Sequence, residues 1–489
     1  MAYFSLMALS GILTNHSGWI SRISVPSSWL GQSDPYRNWN RSTLRNILFS
    51  ARNPQKEFAY GRAGIWQTND GGMTMFPFME GLPDSAPFRN IHALYRDEKG
   101  DRLFAGAEAG LFVRELNSGG KGWKRCAIDG DQEAILSLFG FKDRVMAVTD
   151  SHFFLTRNFP PFCFKKIRPK LSAVFTLPKK DAATFILNIH NGSIFGLPGR
   201  LLIDCAGLAI LFLSISAFYI WYYPRHAKKR RKKKKKISYY RLSWYRFFRK
   251  YHSGLGIWAV AIILIISLAG FLVFLPISSW QSILATSLSF DPNDITDMNP
   301  WKKKIEKALY NPDSQKIIIL TKDGLMEWDG NPEEPCKKLA VNLPSRVMGA
   351  SVFRYVSEDK TYLIGSLSGL YRANPDTGCI KYLRAGRRRI TRVCGYLKRL
   401  NGDEYYCHYE KGIQPVTIHG RNPKSIPIPE ELSKNTMVSL WKFCGDLHSG
   451  RIFKPLLGRN WWWMPPFIGS LILLCLSITG IYNRYYMRP

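Results

Sequence analysis

Between Pro224 and Lys250 the chain carries fourteen Lys and Arg and no Asp or Glu, in PRHAKKRRKKKKKISYYRLSWYRFFRK. An apolar run flanks it on each side, Leu201 to Tyr223 before and Leu255 to Pro276 after. At ~1.5 Å per residue, about 20 apolar residues cross a bilayer core, so both runs read as spanning helices. A short loop this basic between two spans is held on the cytoplasmic side, and that sets the side of everything else. A lysine run alone also fits a nucleic-acid or nuclear-targeting patch. Its place between two spans argues against that, and no nucleic-acid partner is expected. Contact with anionic lipid headgroups is compatible with the membrane reading.

On either side of this centre the chain repeats. Residues 17–189 and 281–447 are polar and aromatic, with short β-like runs and frequent Gly turns. Both hold a recurring element, Gly followed by apolar residues: Gly64, Gly110 and Gly192 in the first half, Gly324, Gly369, Gly412 and Gly450 in the second, with His152-Phe153-Phe154 as a variant. The spacing suits four-stranded propeller blades. The halves also align: Gly64 and Gly324 lie 260 residues apart, Gly110 and Gly369 259, Gly192 and Gly450 258, and Asn53-Pro54 and Asn311-Pro312 258. LFAGAEAGLF (Leu103 to Phe112) matches YLIGSLSGLY (Tyr362 to Tyr371) without a gap. A near-constant offset implies a tandem duplication, each half being span, β-rich domain, span. Eight such elements leave open one closed ring or two half-domains. Closure is favoured because it removes exposed sheet edges.

The fold class expected is therefore a membrane protein with four transmembrane helices and all-β, propeller-like extracytoplasmic domains. Helix 1 is assigned to residues 1–16, the first β-rich half to 17–189, helix 2 to 190–223 and the basic cytoplasmic loop to 224–250. Helix 3 follows over 251–276, the second β-rich half over 277–447, helix 4 over 448–482 and a cytoplasmic tail over 483–489. The apolar part of the N-terminus is short for a span, and the repeat predicts that the chain begins part-way into its first helix. A signal peptide is the alternative, but a basic leader and a small-residue cleavage site are missing. Arg484 and Arg488 in the tail agree with the positive-inside rule, and Trp461-Trp462-Trp463 fits an outer interfacial belt.

Local motifs are mostly structural. Thr68-Asn69-Asp70-Gly71-Gly72-Met73-Thr74-Met75 resembles an Asp-box turn, with Met75 where Trp is usual, and Asn374 to Gly378 is a partial copy. Such turns support a propeller-like fold and imply no glycosidase. The nine Cys show no CxxC pair and no zinc spacing. Cys394 and Cys407 flank Asn401-Gly402, a hairpin signal, and can be diagonal neighbours able to form a disulfide in an oxidising compartment. Arg200 and Asp204 stand at i, i+4 and can pair. Arg387-Arg388-Arg389 is a basic patch, read either as a solvated loop or as a contact for an anionic ligand.

The histidines cluster at the membrane boundaries. His190 (HNGSIF) precedes helix 2 and His448 (HSGRIF) precedes helix 4, at an offset of 258. His252 lies at the inner end of helix 3 and His16 at the outer end of helix 1. Paired neutral imidazoles from facing helices are the usual way to hold a b-type haem in a membrane. Interfacial histidines that anchor helix ends or touch headgroups are the plainer alternative.

Four segments then resemble a known family. NIHNGSIFGLPGRLLIDCAGLAILFLSISAFYIWYYPR looks like the His-(Ser/Thr)-Gly, Gly-Arg helix of the PepSY-associated transmembrane family. LHSGRIF with FIGSLILLCLSITGIYNRYY is similar to the family's last helix, KYHSGLGIWAVAIILIISLAGFLVF to its His-x-x-x-Gly helix, and LSGILTNH to the end of its first. Members include inner-membrane, haem-containing reductases of ferric siderophores. The resemblance implies one or two haem b groups. His190 and His448 would ligate an outer-side haem iron, and His252 an inner-side one. His16 is an alternative ligand, and Arg200 could meet a propionate. It also implies the bacterial inner membrane with the large domains periplasmic, a ferric siderophore or other external acceptor, and a quinol or other membrane donor. The β-rich domains depart from the family's small α+β module. The other reading is a non-redox, membrane-anchored binding module for a protein or glycan. No nucleotide-binding glycine loop, flavin signature or nucleophile–base constellation is present in the sequence. Any enzymatic chemistry would be the haem's.

Overall fold

In the computed structural model, the chain is described except for residues 31–43, 50–56, 71–73, 117–121, 130–132, 157–161, 172–179, 235–237, 274–286, 289–298, 300, 302–303, 345, 347–348, 399–401, 409–411, 417–436 and 487–489. Asn53-Pro54, Gly71 to Met73, Asn401, His419 and Arg488 lie outside the described residues.

Among the described residues, the β-rich segments form six blades, antiparallel except for the outer pairs Ala127–Ile128 with Cys163–Phe164 and Lys170–Leu171 with Pro335–Cys336. We number the innermost strand of each: β1 (Asn46–Phe49), β2 (Ile91–Asp97), β3 (Ser137–Phe141), β4 (Ile305–Asn311), β5 (Val352–Val356) and β6 (Val393–Lys398). In each blade the chain then steps outward strand by strand, as from β2 through Arg102–Ala107 and Gly110–Glu115 to Lys124–Arg125. The second strands are buried: Glu57–Gly61, Thr361–Gly365 and Glu404–His408 over their whole length, the other three beyond their first residue. Each is covered on both faces by neighbouring blades.

The packing between blades closes the ring. Phe58 and Ile65 meet Ile91 and Leu103; Phe104 and Leu111 meet Leu138 and Ala147; Phe153 and Met146 meet Trp301 and Ile317. Ile318 and Leu320 meet Tyr362 and Ile364; Leu363 and Leu370 meet Val393 and Tyr406. Leu397 and Cys407 of the sixth blade then meet Ile47, Ala59 and Trp66 of the first. At that closure the Tyr396 N–H donates to Arg45 O at 3.3 Å. A Cβ on Gly395 would stand 2.2 Å from that carbonyl, so only glycine admits this approach. Three blades come from each half, with Lys170–Leu171 of the first half added to the fourth blade, and the ring leaves only short outermost strands as edges.

The count differs from the eight glycine elements. Gly64, Gly110, Gly324 and Gly412 open third strands with φ between 73° and 133°. Gly192 and Gly450 instead precede short helical turns, Ser193–Phe195 and Arg451–Phe453. The same local pattern, a left-handed Gly before apolar residues, serves both as a strand opener and as a helix-to-helix reversal.

Helices form the other layer. We label α1 (Ala2–Asn15), α2 (Ala182–His190), α3 (Gly196–Lys232), α4 (Tyr239–Val273), α5 (Leu440–His448) and α6 (Met464–Tyr485). Among the described residues, three stretches are long and apolar enough to cross a membrane: Ser193–Lys232, Tyr239–Val273 and Met464–Asn483. The first helix, expected as a fourth span, has 14 residues and packs on α3 and α5. The bundle core is built of small and branched residues: Ala8, Ala206, Ala209, Ile210, Ala259, Ile263 and Ile266. Small residues let membrane helices approach closely. The outward faces stay apolar: Leu208, Phe218, Trp258, Leu268 and Ile478 are exposed, Trp258 to 86%. Such a surface suits lipid, not water.

The basic stretch is not a plain loop. Helix α3 runs on to Lys232 and α4 begins at Tyr239, so most of it is helical. Tyr223 stacks on Tyr245 at 4.8 Å, and the Tyr219 hydroxyl donates to Arg241 O at 3.2 Å. Four cations in the last turn of α3 face its negative dipole end.

The halves exchange strands where blades meet helices. Ser24–Pro26 pairs with Met437–Ser439, which leads into α5, and Lys180–Asp181 pairs with Ser287–Leu288 and leads into α2.

Candidate functional site

Helices α2 and α5 each have nine residues and end on a histidine, His190 and His448. After each, a left-handed glycine (φ 75° and 76°) reverses the chain onto the next helical segment. No side chain fits there: a Cβ on Gly192 would stand 2.3 Å from Gly199 O, and one on Gly450 2.6 Å from Pro466 Cδ.

The two imidazoles lie against each other, ring centroids 5.9 Å apart and planes at 47°. Each is oriented by the opposite half of the chain. His190 Nδ1–H donates to Ile266 O at 2.8 Å, and His448 Nδ1–H donates to Met7 O at 3.0 Å. A carbonyl only accepts, so Nδ1 carries the proton in both, and in a neutral ring Nε2 holds the lone pair. Each ring rests on a glycine: a Cβ on Gly270 would stand 3.3 Å from His190 Cε1, and one on Gly11 3.0 Å from His448 Cε1. The carbonyl-bearing residues and the two glycines are each 259 positions apart.

These residues fit a bis-imidazole metal centre. Metal–imidazole bonds of about 2 Å on each side would set ring centroids about 6 Å apart. Tethering of the second ring nitrogen is the usual way a ligand imidazole is oriented. Among the described residues, no group of three or more His, Cys, Asp or Glu gathers as for a non-haem metal.

The other expected residues lie apart. His252, on α4, sends Nδ1–H to Ser216 Oγ at 2.7 Å, while that hydroxyl donates to Leu213 O. His16 Nε2 bonds Asp204 Oδ2 at 3.0 Å, and Asn15 Nδ2 donates to Asp204 Oδ1 at 3.0 Å. Asp204 is therefore engaged by α1 and its C-terminal cap, and Arg200 lies exposed one turn before it. His152 is a blade clamp, its Nδ1 on Glu133 at 2.6 Å and its Nε2 accepting from Asn299 at 3.0 Å. His408 is buried in its strand. Cys394 and Cys407 form no disulfide, Cys407 standing opposite Gly395 with a bulge at Cys394. Asp70 accepts from Thr68 Oγ1, Thr74 N and Thr74 Oγ1, so the Asp-box is a turn clamp.

Sequence reading missed a second set. Arg45, His92 and Lys307, from three blades, are joined by hydrogen bonds, and Arg354 of a fourth blade bonds Asn46, the neighbour of Arg45. Their one signal is a basic residue in or beside four of the innermost strands.

Apolar lipid-facing helices joined to a closed ring of sheets define a membrane-anchored, propeller-bearing protein. Residues 2–223 match the model of the PepSY-associated TM region. No curated protein matches the chain. Among solved structures it is similar to an extracellular domain described as that of a hybrid two component system of B. thetaiotaomicron (10% identity, 80% of this chain and 34% of that one, TM-score 0.38). It thus spans about a third of that domain's length. It is also similar to the WD40 beta propeller domain of Doa1 (9% identity, 80% and 84%, TM-score 0.38). A third is YCF48 from Cyanidioschyzon merolae (12% identity, 81% and 87%, TM-score 0.33). At such scores the ring rests on this chain's own strand pairing.

Proposed function

We propose that this protein is a b-type haem electron-transfer protein of a bacterial inner membrane. It passes electrons across the bilayer to a periplasmic acceptor, a ferric siderophore being the favoured class. The observation that carries the proposal is the His190–His448 pair, two tautomer-fixed imidazoles 5.9 Å apart at the end of a membrane bundle. Haem b, when bound, supplies a one-electron relay, so one electron from a quinol-class donor converts ferric to ferrous iron. The chain's part is to hold and orient: Ile266 O and Met7 O fix the ring nitrogens. Gly270 and Gly11 provide flat seats. His252, similarly tethered, is assigned to a second, inner-side haem.

A tandem duplication accounts for α2 and α5, and for the shared offset of their histidines, glycines and carbonyls. Four passes, with α1 as the first, put the basic hairpin in the cytoplasm and the ring in the periplasm.

The test is an absorption spectrum of detergent-purified full-length protein expressed with haem supplied. Sharp low-spin α and Soret bands on dithionite reduction are expected, lost in His190→Ala and in His448→Ala. A featureless spectrum would sink the proposal. A non-redox binding module is the second reading, and the cationic interior of the ring favours it.

A further inference from the structure

The innermost strands bring cations together inside the ring. Arg45, next to β1, donates through Nη1 to Ile91 O at 3.1 Å and to His92 Nδ1, and through Nη2 to Asn90 Oδ1 at 3.1 Å. Because a guanidinium only donates, His92 Nδ1 must accept, which puts that ring's proton on Nε2. Lys307 on β4 reaches across two blades, its Nζ donating to Leu136 O at 2.6 Å and to His92 O at 3.4 Å. Arg354 on β5 donates to Asn46 Oδ1 and lies over the Tyr396 ring at 5.4 Å.

Every one of these partners is uncharged. The nearest acids are shared: Glu108, beside Arg45, also accepts from Asn90 Nδ2 at 2.7 Å, and Glu404, beside Arg354, stands 3.7 Å from Arg372. The contrast lies on the same blades. Arg346 has its own carboxylate, Glu306, at 2.7 Å. The four side chains nevertheless keep partial solvent exposure, so they line the ring's interior and are not sealed in its core. Like charges that outnumber the acids beside them are costly unless an anion adds counter-charge.

We propose that the interior of the ring binds a small oxyanion of the sulfate, phosphate or carboxylate class. Arg45, Lys307 and Arg354 supply the charge, and His92 Nε2–H is a neutral donor beside them. The mutual desolvation of these groups agrees. Burial and Arg45 bring Lys307 down to about 7, and burial brings Arg45 down to about 10. An anion would relieve both. The site is independent of the haem reading: it lies in the ring, not the bundle.

Sulfate is the probe, because its charge is constant over the working range. Full-length protein in detergent and chloride buffer at pH 6.5 is titrated calorimetrically. One saturable site is expected, weakened about ten-fold or more in Lys307→Met and in Arg354→Gln and kept in Lys307→Arg. Circular dichroism checks the fold of each variant, and Arg354→Gln carries the test if Lys307→Met does not fold. The proposal is overturned if wild-type protein shows no saturable sulfate binding, or if both axis variants bind like wild type. It is equally overturned if binding is lost instead on changing the exposed Arg387, Arg388 and Arg389 to Gln.

Discussion

Lys307 carries the clearest consequence at the scale of one residue. Its ammonium is faced by Arg45, and the neutral ring of His92 beside it also meets Arg62. Its pKa is about 7 in the fold against 10.5 for a free lysine. Between those values the unfolded chain holds a proton that the folded chain has released, so stability rises with pH from about 7 upward. Below about 7 both states are protonated and this contribution is flat at its lowest. Melting curves from pH 6 to 10 without an oxyanion should show that slope, and Lys307→Met should remove it. Sulfate should stabilise the protein most at the acid end, where the lysine is charged. A slope unchanged in Lys307→Met would contradict the assignment. None of this was legible in the sequence. Arg45, His92, Lys307 and Arg354 are far apart along the chain, and only ring closure across the two halves brings them together. By contrast, His190 and His448 could be found in advance, because each sits in a local His-x-Gly context at a repeated offset.

At the scale of elements, two nine-residue helices do the positioning. Each ends on its histidine, turns on a glycine, and sets the ring against the partner half's helix. Gly270 on α4 leaves room for the His190 ring, with Ser470 Oγ equally close on the other side. Gly270→Leu should push that ring out of register and cut haem content about ten-fold, since ligand placement tolerates only small shifts. The sulfate response of the ring should be unaffected. Haem-to-protein ratio measures the first and calorimetry the second. Full haem content in Gly270→Leu would show that His190 is not held as described. The basic stretch shows where sequence reading was too coarse. Fourteen cations between spans look like a loop, yet Tyr219, Tyr223, Arg241 and Tyr245 tie its two sides into a helical hairpin. Aromatic spacing on both sides was the signal, and it was weaker than the charge.

For the whole molecule, interdependence of the halves is the main lesson. The first contributes α1 to the α5 histidine and the second contributes α4 to the α2 histidine. Blades one and six close the ring across the same divide. Alternation and turn glycines showed that blades were present, while their number came out as six because Gly192 and Gly450 belong to helical reversals. No local rule separates those uses. The element that the glycine leads into, a partner strand or a spanning helix, decides between them. The central claim is that one ligand from each half meets at one iron. Electron paramagnetic resonance of the oxidised, haem-supplied protein tests it most directly. A low-spin ferric signal is expected in the wild type. It should turn high-spin, or vanish with the haem, in His190→Ala and in His448→Ala alike. A low-spin signal that survives in both variants, or a wild type without one, would contradict the account.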